Sequence, residues 1–177
     1  MASNPPGACC YAGVKHEGSS VGEINSLGDV RTYYSYPKDG STENAILILT
    51  DVIGIDFINP QLIADQLAAN GYFVMMPDLF HGDPVPLNKP GGFSLPEWLK
   101  GHGTERVDPI VEAALNELRG PLGAKRVGAI GYCFGGKYVA RYLKEGKIDV
   151  GFMAHPSFVT EEEIRGAYGP LSIVAAG

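Results

Sequence analysis

The chain has 177 residues, of which 45% are hydrophobic and 19% charged, and its formal net charge is −6. That composition fits a single globular domain spanning residues 1–177 and argues against disorder and coiled coil. Lysine and arginine are scattered, which argues against a nucleic-acid partner. No apolar run reaches the roughly 20 residues that cross a bilayer, and the N-terminus has no basic or apolar leader, so we expect no membrane association and a cytoplasmic location.

Three cysteines supply neither a disulfide framework nor a zinc-ligand spacing. Cys9 and Cys10 are adjacent, and we interpret them as ordinary thiols of an N-terminal arm, residues 1–29, rather than as a metal or palmitoylation site. We therefore expect a reducing compartment, with no metal and no cofactor.

Hydrophobic patterning predicts strands that alternate with helices. The run AILIL is apolar without alternation, as in a strand buried on both faces of a parallel sheet. In chain order, the predicted strands are 30–36, 45–49, 72–76, 126–130, 150–154 and 171–175, and the predicted helices are 59–70, 108–118, 137–144 and a short one that starts with a capping box at 160–163. This alternation predicts an α/β fold with a mostly parallel sheet and helices on both faces.

Residues 77–96 form a proline- and glycine-rich stretch that is long for an idle connection. Loops of this length often line a site. His81 within it and Trp98 just after it are therefore candidate pocket residues.

Residues 131–135, Gly-Tyr-Cys-Phe-Gly, match the G-x-nucleophile-x-G elbow, in which a strand turns sharply into a helix. A buried strand precedes the motif and a helical pattern follows it, as the elbow requires. The start of the helix favours thiolate over thiol, so Cys133 is the candidate nucleophile. The alternative is a structural cysteine on a glycine-rich turn. A phosphate-binding loop does not fit, because Lys137 is not followed by Ser or Thr.

Acyl transfer needs hydrogen-bond donors for the developing oxyanion. In this fold they are backbone N–H groups of the residue after the nucleophile and of a loop after an earlier strand. The matching residues are Phe134 and Val52. A plain strand-to-helix loop at 50–54 is the alternative for the second donor.

The sequence resembles the dienelactone hydrolase family, whose named activity is carboxymethylenebutenolidase, and in particular its fungal members. The resemblance covers nearly the whole chain. It rests on the segments CC-Y-x-G at 9–13, LTDVIG at 49–54, NGYFVMMPDLFHGD at 70–83, GYCFGGK at 131–137 and AHPSFV at 154–159.

The resemblance implies an α/β-hydrolase fold and a Cys-His-Asp triad that hydrolyses lactones and related esters, with Cys133 as the nucleophile. It also implies that Asp51 is the carboxylate that contacts the resting thiol, although bacterial members carry the longer Glu there. Asp78 and the His155-Pro156 pair match positions expected to hold loops at strand ends. Substrate contact by His155 in the pocket is the alternative.

The chain departs from the family at its C-terminal end. The family's acid follows the strand predicted at 171–175 and its histidine comes later still, whereas the four histidines here all come earlier: His16, His81, His102 and His155. We therefore expect the last strand or strands and helix of the fold to be absent, and the chain alone to be weak or inactive. A shortened sequence, a natural short form and a cleaved enzyme all remain open. Exposed apolar sheet would also favour a homo-oligomer.

Three functional hypotheses follow. The first is hydrolysis of a small-molecule lactone or ester through Cys133. The second is a secondary-metabolite enzyme on the same scaffold that promotes cyclisation or isomerisation without hydrolysis. The third is a binding module without catalysis, in which Cys133 is at most a redox-reactive thiol.

Overall fold

The computed structural model describes residues 1–5, 11–88 and 91–175. Cys9 and Cys10 lie outside the described residues. The strands are β1 (Glu23–Leu27), β2 (Val30–Ser35), β3 (Asn44–Leu49), β4 (Phe73–Pro77), β5 (Arg126–Tyr132), β6 (Val150–Ala154) and β7 (Leu171–Val174). The helices are α1 (Ile58–Ala69), α2 (Leu95–Lys100), α3 (Thr104–Arg119), α4 (Phe134–Tyr142) and α5 (Glu161–Arg165).

The described strands form one sheet in the order β1-β2-β4-β3-β5-β6-β7. Strand β2 is antiparallel to both of its neighbours, whereas β4, β3, β5, β6 and β7 are mutually parallel. The central pair β3 and β5 is in register from Asn44↔Arg126 to Leu49↔Gly131. The segments that follow these two strands therefore leave the sheet side by side, at the same edge.

Helices cover both faces of the sheet, as the alternation of strands and helices predicts. On one face, α3 and α4 pack against the central strands through buried side chains such as Val111 and Val139. On the other face, Ala64 and Ala68 of α1 pack against Ile48 and other residues of the adjacent strands. The apolar residues of β3 and β4 are mostly buried because both faces of these strands are covered.

The structure corrects several predicted boundaries. Helix α3 begins at Thr104 rather than Asp108, and it carries Pro109 in its interior at the cost of one backbone hydrogen bond. Helix α4 begins at Phe134 rather than Lys137, because the elbow passes directly into the helix. Strand β1, inside the predicted N-terminal arm, and helix α2 were not predicted. The capping box of α5 is confirmed, with Thr160 accepting from the N–H of Glu163.

No helix in residues 1–5, 11–88 and 91–175 is long and apolar enough to cross a bilayer. Strand β7 forms one edge of the sheet, and its Ile173 is 49% exposed. Self-association through such an edge stays a prediction.

A close backbone contact joins helix α4 to the end of β3. The N–H of Gly135 donates to the carbonyl oxygen of Thr50 at 3.0 Å. A Cβ atom on Gly135 would collide with the Leu49 carbonyl group, so residue 135 has no room for a side chain. This contact sets the distance between the start of α4 and the loop that follows β3.

We expect Gly135→Ala to lower the free energy of unfolding by about 3 kcal/mol, because the added methyl group meets backbone atoms that cannot move independently. Gly128→Ala in β5 is the matched control. Its Cβ would meet Val150 at an ordinary 3.5 Å, so its effect should stay within about 1 kcal/mol. Urea unfolding measures both, and equal effects would contradict this account of the contact.

Candidate active site

Cys133 occupies the turn between β5 and α4, where its backbone has φ 47° and ψ −107°. A non-glycine residue in this region costs about 1 to 3 kcal/mol and persists only where its surroundings hold it. The Cys133 N–H donates to the carbonyl of Ala154 at 3.0 Å, and the Cys133 carbonyl accepts from the N–H groups of Gly136 and Ser157. These bonds hold the strained turn in place.

The elbow closes because its flanking residues lack side chains. A Cβ on Gly131 would lie 2.7 Å from the carbonyl oxygen of Gly135 and from the Cα of Gly136. A Cβ on Gly136 would lie 2.7 Å from the Pro156 ring. The glycines of GYCFGG therefore serve close packing of strand, helix and the loop after β6.

The two predicted oxyanion donors lie on the segments that the Gly135–Thr50 bond joins. Phe134 is the first residue of α4, and Val52 follows β3; both are buried. In the part of the chain that the structure describes, neither N–H group donates to a protein acceptor, although the Val52 carbonyl accepts from Val85. Two unsatisfied donors beside the elbow are what an oxyanion requires. Their role in holding one stays a prediction.

Asp51 lies at the end of β3, half-buried, with its Oδ1 accepting the N–H of Ile53 at 2.9 Å. Burial raises the pKa of the Asp51 carboxyl, and the nearby His155 imidazole acts in the opposite direction. The pKa of the Tyr132 hydroxyl is raised as well, mainly by burial and further by the negative charge of Asp51. Asp51 thus belongs to a titratable cluster at the strand ends, and its contact with Cys133 stays a prediction.

Ser157 was not predicted as a site residue, although it lies within the AHPSFV segment. Its Oγ is 3.3 Å from the Sγ of Cys133, and both side chains are buried, with 4% and 0% exposure. A serine after a strand end has no distinctive signal in one sequence. Only the fold brings it to the elbow, 24 residues away in the chain.

The N-terminal residues support the loop that carries Ser157. The N–H groups of Ala2 and Ser3 donate to the Val159 carbonyl at 2.7 and 3.2 Å. The Phe158 N–H donates to the Asn4 carbonyl at 3.2 Å, and the Val159 N–H donates to the Ser3 hydroxyl at 2.8 Å. This part of the predicted arm is therefore packed against the site's supporting loop.

The three candidate pocket residues occupy different environments. His81 is exposed in a turn with φ 49°. Trp98 is buried, donates its indole N–H to the Asp83 carbonyl at 2.8 Å, and lies 6.2 Å from the Phe134 ring between centroids. His155 is exposed, with its ring 6.5 Å from that of Tyr132. Trp98 and His155 thus each lie beside an elbow residue, and the contact of all three with substrate stays a prediction.

His102, which sequence analysis did not place in the site, supports this aromatic region. Its ring stacks on Trp98 with centroids 3.9 Å apart, its Nδ1 is 2.7 Å from the Trp98 carbonyl oxygen, and its Nε2 is 3.5 Å from Asp83. The buried Asp78 carboxylate accepts the N–H groups of Phe80 and Gly82, in agreement with its predicted structural role. Asp78 therefore holds the turn after β4, and His102 holds the Trp98 ring that lies beside Phe134 of α4.

A groove of about 650 Å³ lies on the sheet face, at the amino-terminal halves of β3, β5 and β6. It is lined in part by Ile46, Ile130 and Phe152, and none of the predicted site residues borders it. The groove is therefore separate from the elbow. Among the described residues, no group of three or more His, Cys, Asp or Glu side chains could hold a metal ion.

Comparison with known proteins gives a consistent family. A model of the dienelactone hydrolase family matches residues 30–176. Hydrolase tropI of Talaromyces stipitatus is 54% identical over 99% of this chain and 72% of its own length. A dienelactone hydrolase of Gibberella moniliformis is 33% identical over 96% of this chain and 68% of its own length.

Solved structures show the same fold at low identity. A protein from Klebsiella pneumoniae described as a dienelactone hydrolase superposes with a TM-score of 0.64 at 16% identity, over 90% of this chain and 86% of that one. A thermophilic esterase from Thermogutta terrifontis superposes with a TM-score of 0.53 at 12% identity, over 76% of this chain and 53% of that one. These similarities concern the α/β-hydrolase fold.

The burial of Asp51 predicts how its replacement affects stability. Because the pKa is raised in the folded chain, the carboxyl's contribution to the free energy of unfolding falls as the pH rises through the folded-state pKa. Asp51→Asn keeps an acceptor for the Ile53 N–H without the charge. We therefore expect it to be more stable than the wild type at pH 7.5, with the difference shrinking as the pH falls toward the ordinary value of 3.8.

Urea unfolding at several pH values measures this difference. Asp29→Asn, which removes an exposed carboxyl from the β1–β2 turn, is the control and should show no comparable gain. An Asp51→Asn chain that is less stable than the wild type at pH 7.5 would refute a burial cost at this position.

Proposed function

The chain belongs to the dienelactone hydrolase family, and on that basis we propose that it is a thiol hydrolase that attacks a small lactone or ester through Cys133. The observation that carries this proposal is the position of Cys133 at the strained turn between β5 and α4. At that position Cys133 directly precedes the amino-terminal end of α4, whose dipole favours the thiolate.

The reaction follows from the groups around the turn. The Cys133 thiolate adds to the carbonyl carbon, and the carbon–oxygen π electrons move to the oxygen. The N–H groups of Phe134 and Val52 bind that oxyanion. Collapse of the intermediate breaks the ester bond, the alkoxide leaves and takes up a proton, and a thioester remains on Sγ. In a lactone, the leaving alkoxide stays attached to the acyl group. Water then hydrolyses the thioester and regenerates the thiol.

Proton transfer is the slow part of this scheme. Thiol ionisation, alkoxide protonation and activation of water all need a base or acid at the sulfur. His102 is occupied with Trp98 and Asp83, and His81 is exposed in its turn. His16 is also exposed, and its backbone N–H ties it to Asn59 at the start of α1. The His155 ring lies 6.5 Å from that of Tyr132, the residue before the nucleophile, whereas the Cys133 sulfur has the Ser157 hydroxyl at 3.3 Å. We therefore propose that the 177-residue chain acylates and then deacylates slowly.

Access to the sulfur is a further part of the proposal. Cys133 is 0% exposed, so a carbonyl group reaches Sγ only when neighbouring groups move aside. A compact substrate needs the smallest displacement, which supports a small lactone or ester.

Incubation with p-nitrophenyl acetate should add one acetyl group to the chain, and the adduct should persist because deacylation is slow. Intact-mass spectrometry measures the adduct, and peptide mapping should place it on Cys133. Cys133→Ala should form no adduct, whereas the double variant Cys9→Ala, Cys10→Ala should form it as the wild type does.

An adduct that persists in Cys133→Ala would contradict the proposed nucleophile. Turnover of a natural lactone that survives this substitution would instead favour the non-hydrolytic enzyme, and complete inertness of the wild type would favour a binding module.

A missing positioned base predicts chemical rescue. Added imidazole should raise the steady-state hydrolysis rate of the wild-type chain by about tenfold, a fraction of the 10²- to 10⁴-fold that a positioned base typically contributes. The rate with Cys133→Ala gives the background reaction of imidazole with the ester and is subtracted. A rate that exceeds background but does not respond to imidazole would show that the chain already supplies its own base.

A further inference from the structure

We propose that Ser157 is a positioning residue for the nucleophile, whose hydroxyl binds the sulfur of Cys133 and stabilises its thiolate form; this inference rests on the proposed role of Cys133. The Oγ and Sγ atoms are 3.3 Å apart. Both residues are almost completely removed from solvent. A hydrogen bond in such surroundings does not compete with water, so it acts on the sulfur more strongly than an exposed one would.

The backbone places the hydroxyl independently of the side-chain contact. The Ser157 N–H donates to the Cys133 carbonyl at 2.9 Å, and the Cys133 N–H donates to the Ala154 carbonyl at 3.0 Å. The elbow and the 154–157 segment are therefore joined on both sides of the nucleophile. Ser157 cannot move away from the sulfur unless these bonds break.

Backbone strain accompanies this placement. His155 has φ 39° and Phe158 has φ 61°, so residues on both sides of Ser157 adopt the left-handed region that side chains disfavour. Such a conformation needs support from its neighbours, and the loop has it. The His155 N–H donates to the Val174 carbonyl at 2.7 Å, and the Phe158 N–H donates to the Asn4 carbonyl at 3.2 Å.

A charged side chain also holds this loop. The Lys137 ammonium donates to the Phe158 carbonyl at 3.0 Å and to both carboxylate oxygens of Glu163, at 2.8 and 3.0 Å. Lys137 belongs to α4 and Glu163 to α5, so the bond ties the loop to two helices. The strained loop is supported from the sheet edge, the N-terminus and α4.

Serine suits both protonation states of the sulfur. Its hydroxyl can accept the S–H of the thiol, and it can rotate and donate to the thiolate. A hydrogen bond to the charged form favours that form and lowers the pKa of the thiol. As the carbon–sulfur bond forms, charge leaves the sulfur and the hydroxyl is released. When the thiolate is released at the end of the cycle, the Ser157 hydroxyl donates to the sulfur again.

The test is the ultraviolet absorbance of the Cys133 thiolate as a function of pH, obtained by subtracting the spectrum of Cys133→Ala. This signal needs neither turnover nor reagent access. Ser157→Ala keeps the backbone N–H and removes only the hydroxyl, so the loop should hold. We expect its titration midpoint to lie about one pH unit above that of the wild type.

Two further variants separate the hydroxyl from general effects on the fold. Ser157→Thr keeps the hydroxyl and should titrate close to the wild type. Ser172→Ala removes an exposed hydroxyl from β7 and should leave the midpoint unchanged. These variants keep the test informative even where Ser157→Ala folds poorly, because a midpoint in Ser157→Thr about one pH unit above that of the wild type would overturn the proposal.

An unchanged midpoint in folded Ser157→Ala would overturn the positioning role and leave the proposed nucleophile intact. A wild-type chain that forms no Cys133-dependent thiolate below the pH at which it unfolds would overturn both proposals. A shifted midpoint in a chain that forms no acyl adduct would support Ser157 and overturn the hydrolase, so the two failures are distinguishable.

Discussion

The close backbone contact between the start of α4 and the end of β3 is the constraint on which the site depends. The Gly135 N–H reaches the Thr50 carbonyl only because residue 135 has no side chain to collide with Leu49. This contact brings the Val52 loop to the elbow, and the turn before it holds Cys133 in the left-handed region. The parallel register of β3 and β5 puts both segments at one edge. The same backbone contact therefore determines where the nucleophile and the candidate oxyanion donors lie.

Several features of the site destabilise the fold, and the rest of the domain offsets them. Cys133, His155 and Phe158 all have positive φ, and the Asp51 carboxyl is held where burial raises its pKa. Two N–H groups at the elbow have no protein acceptor within residues 1–5, 11–88 and 91–175. The largely buried strand β3, the fully buried strand β4 and the helices on both faces offset these costs. Concentration of unfavourable features at one edge of the sheet is typical of a functional site.

The features that depend on short stretches of neighbouring residues were correctly predicted from the sequence. The apolar run of β3 and the GYCFGG turn were recognisable because burial and close packing restrict residue types at those positions. Strand β1 was not predicted because its residues are mostly exposed and show no buried pattern. The start of α3 was predicted too late because Pro109 favours the first turn of a helix, whereas the helix begins at Thr104 and contains Pro109 in its interior. Ser157 was missed because its contact with Cys133 spans 24 residues and depends on how β6 lies beside β5. Long-range placement of this kind has no signature in a single sequence.

The most direct test of the account is a crystal structure of the chain after acylation with a small activated ester. We predict a thioester on the Sγ of Cys133 whose carbonyl oxygen lies about 2.7 to 3.1 Å from the backbone nitrogens of Phe134 and Val52. An acyl group on another residue, or a thioester whose oxygen points away from both nitrogens, would contradict the assignment of nucleophile and oxyanion donors.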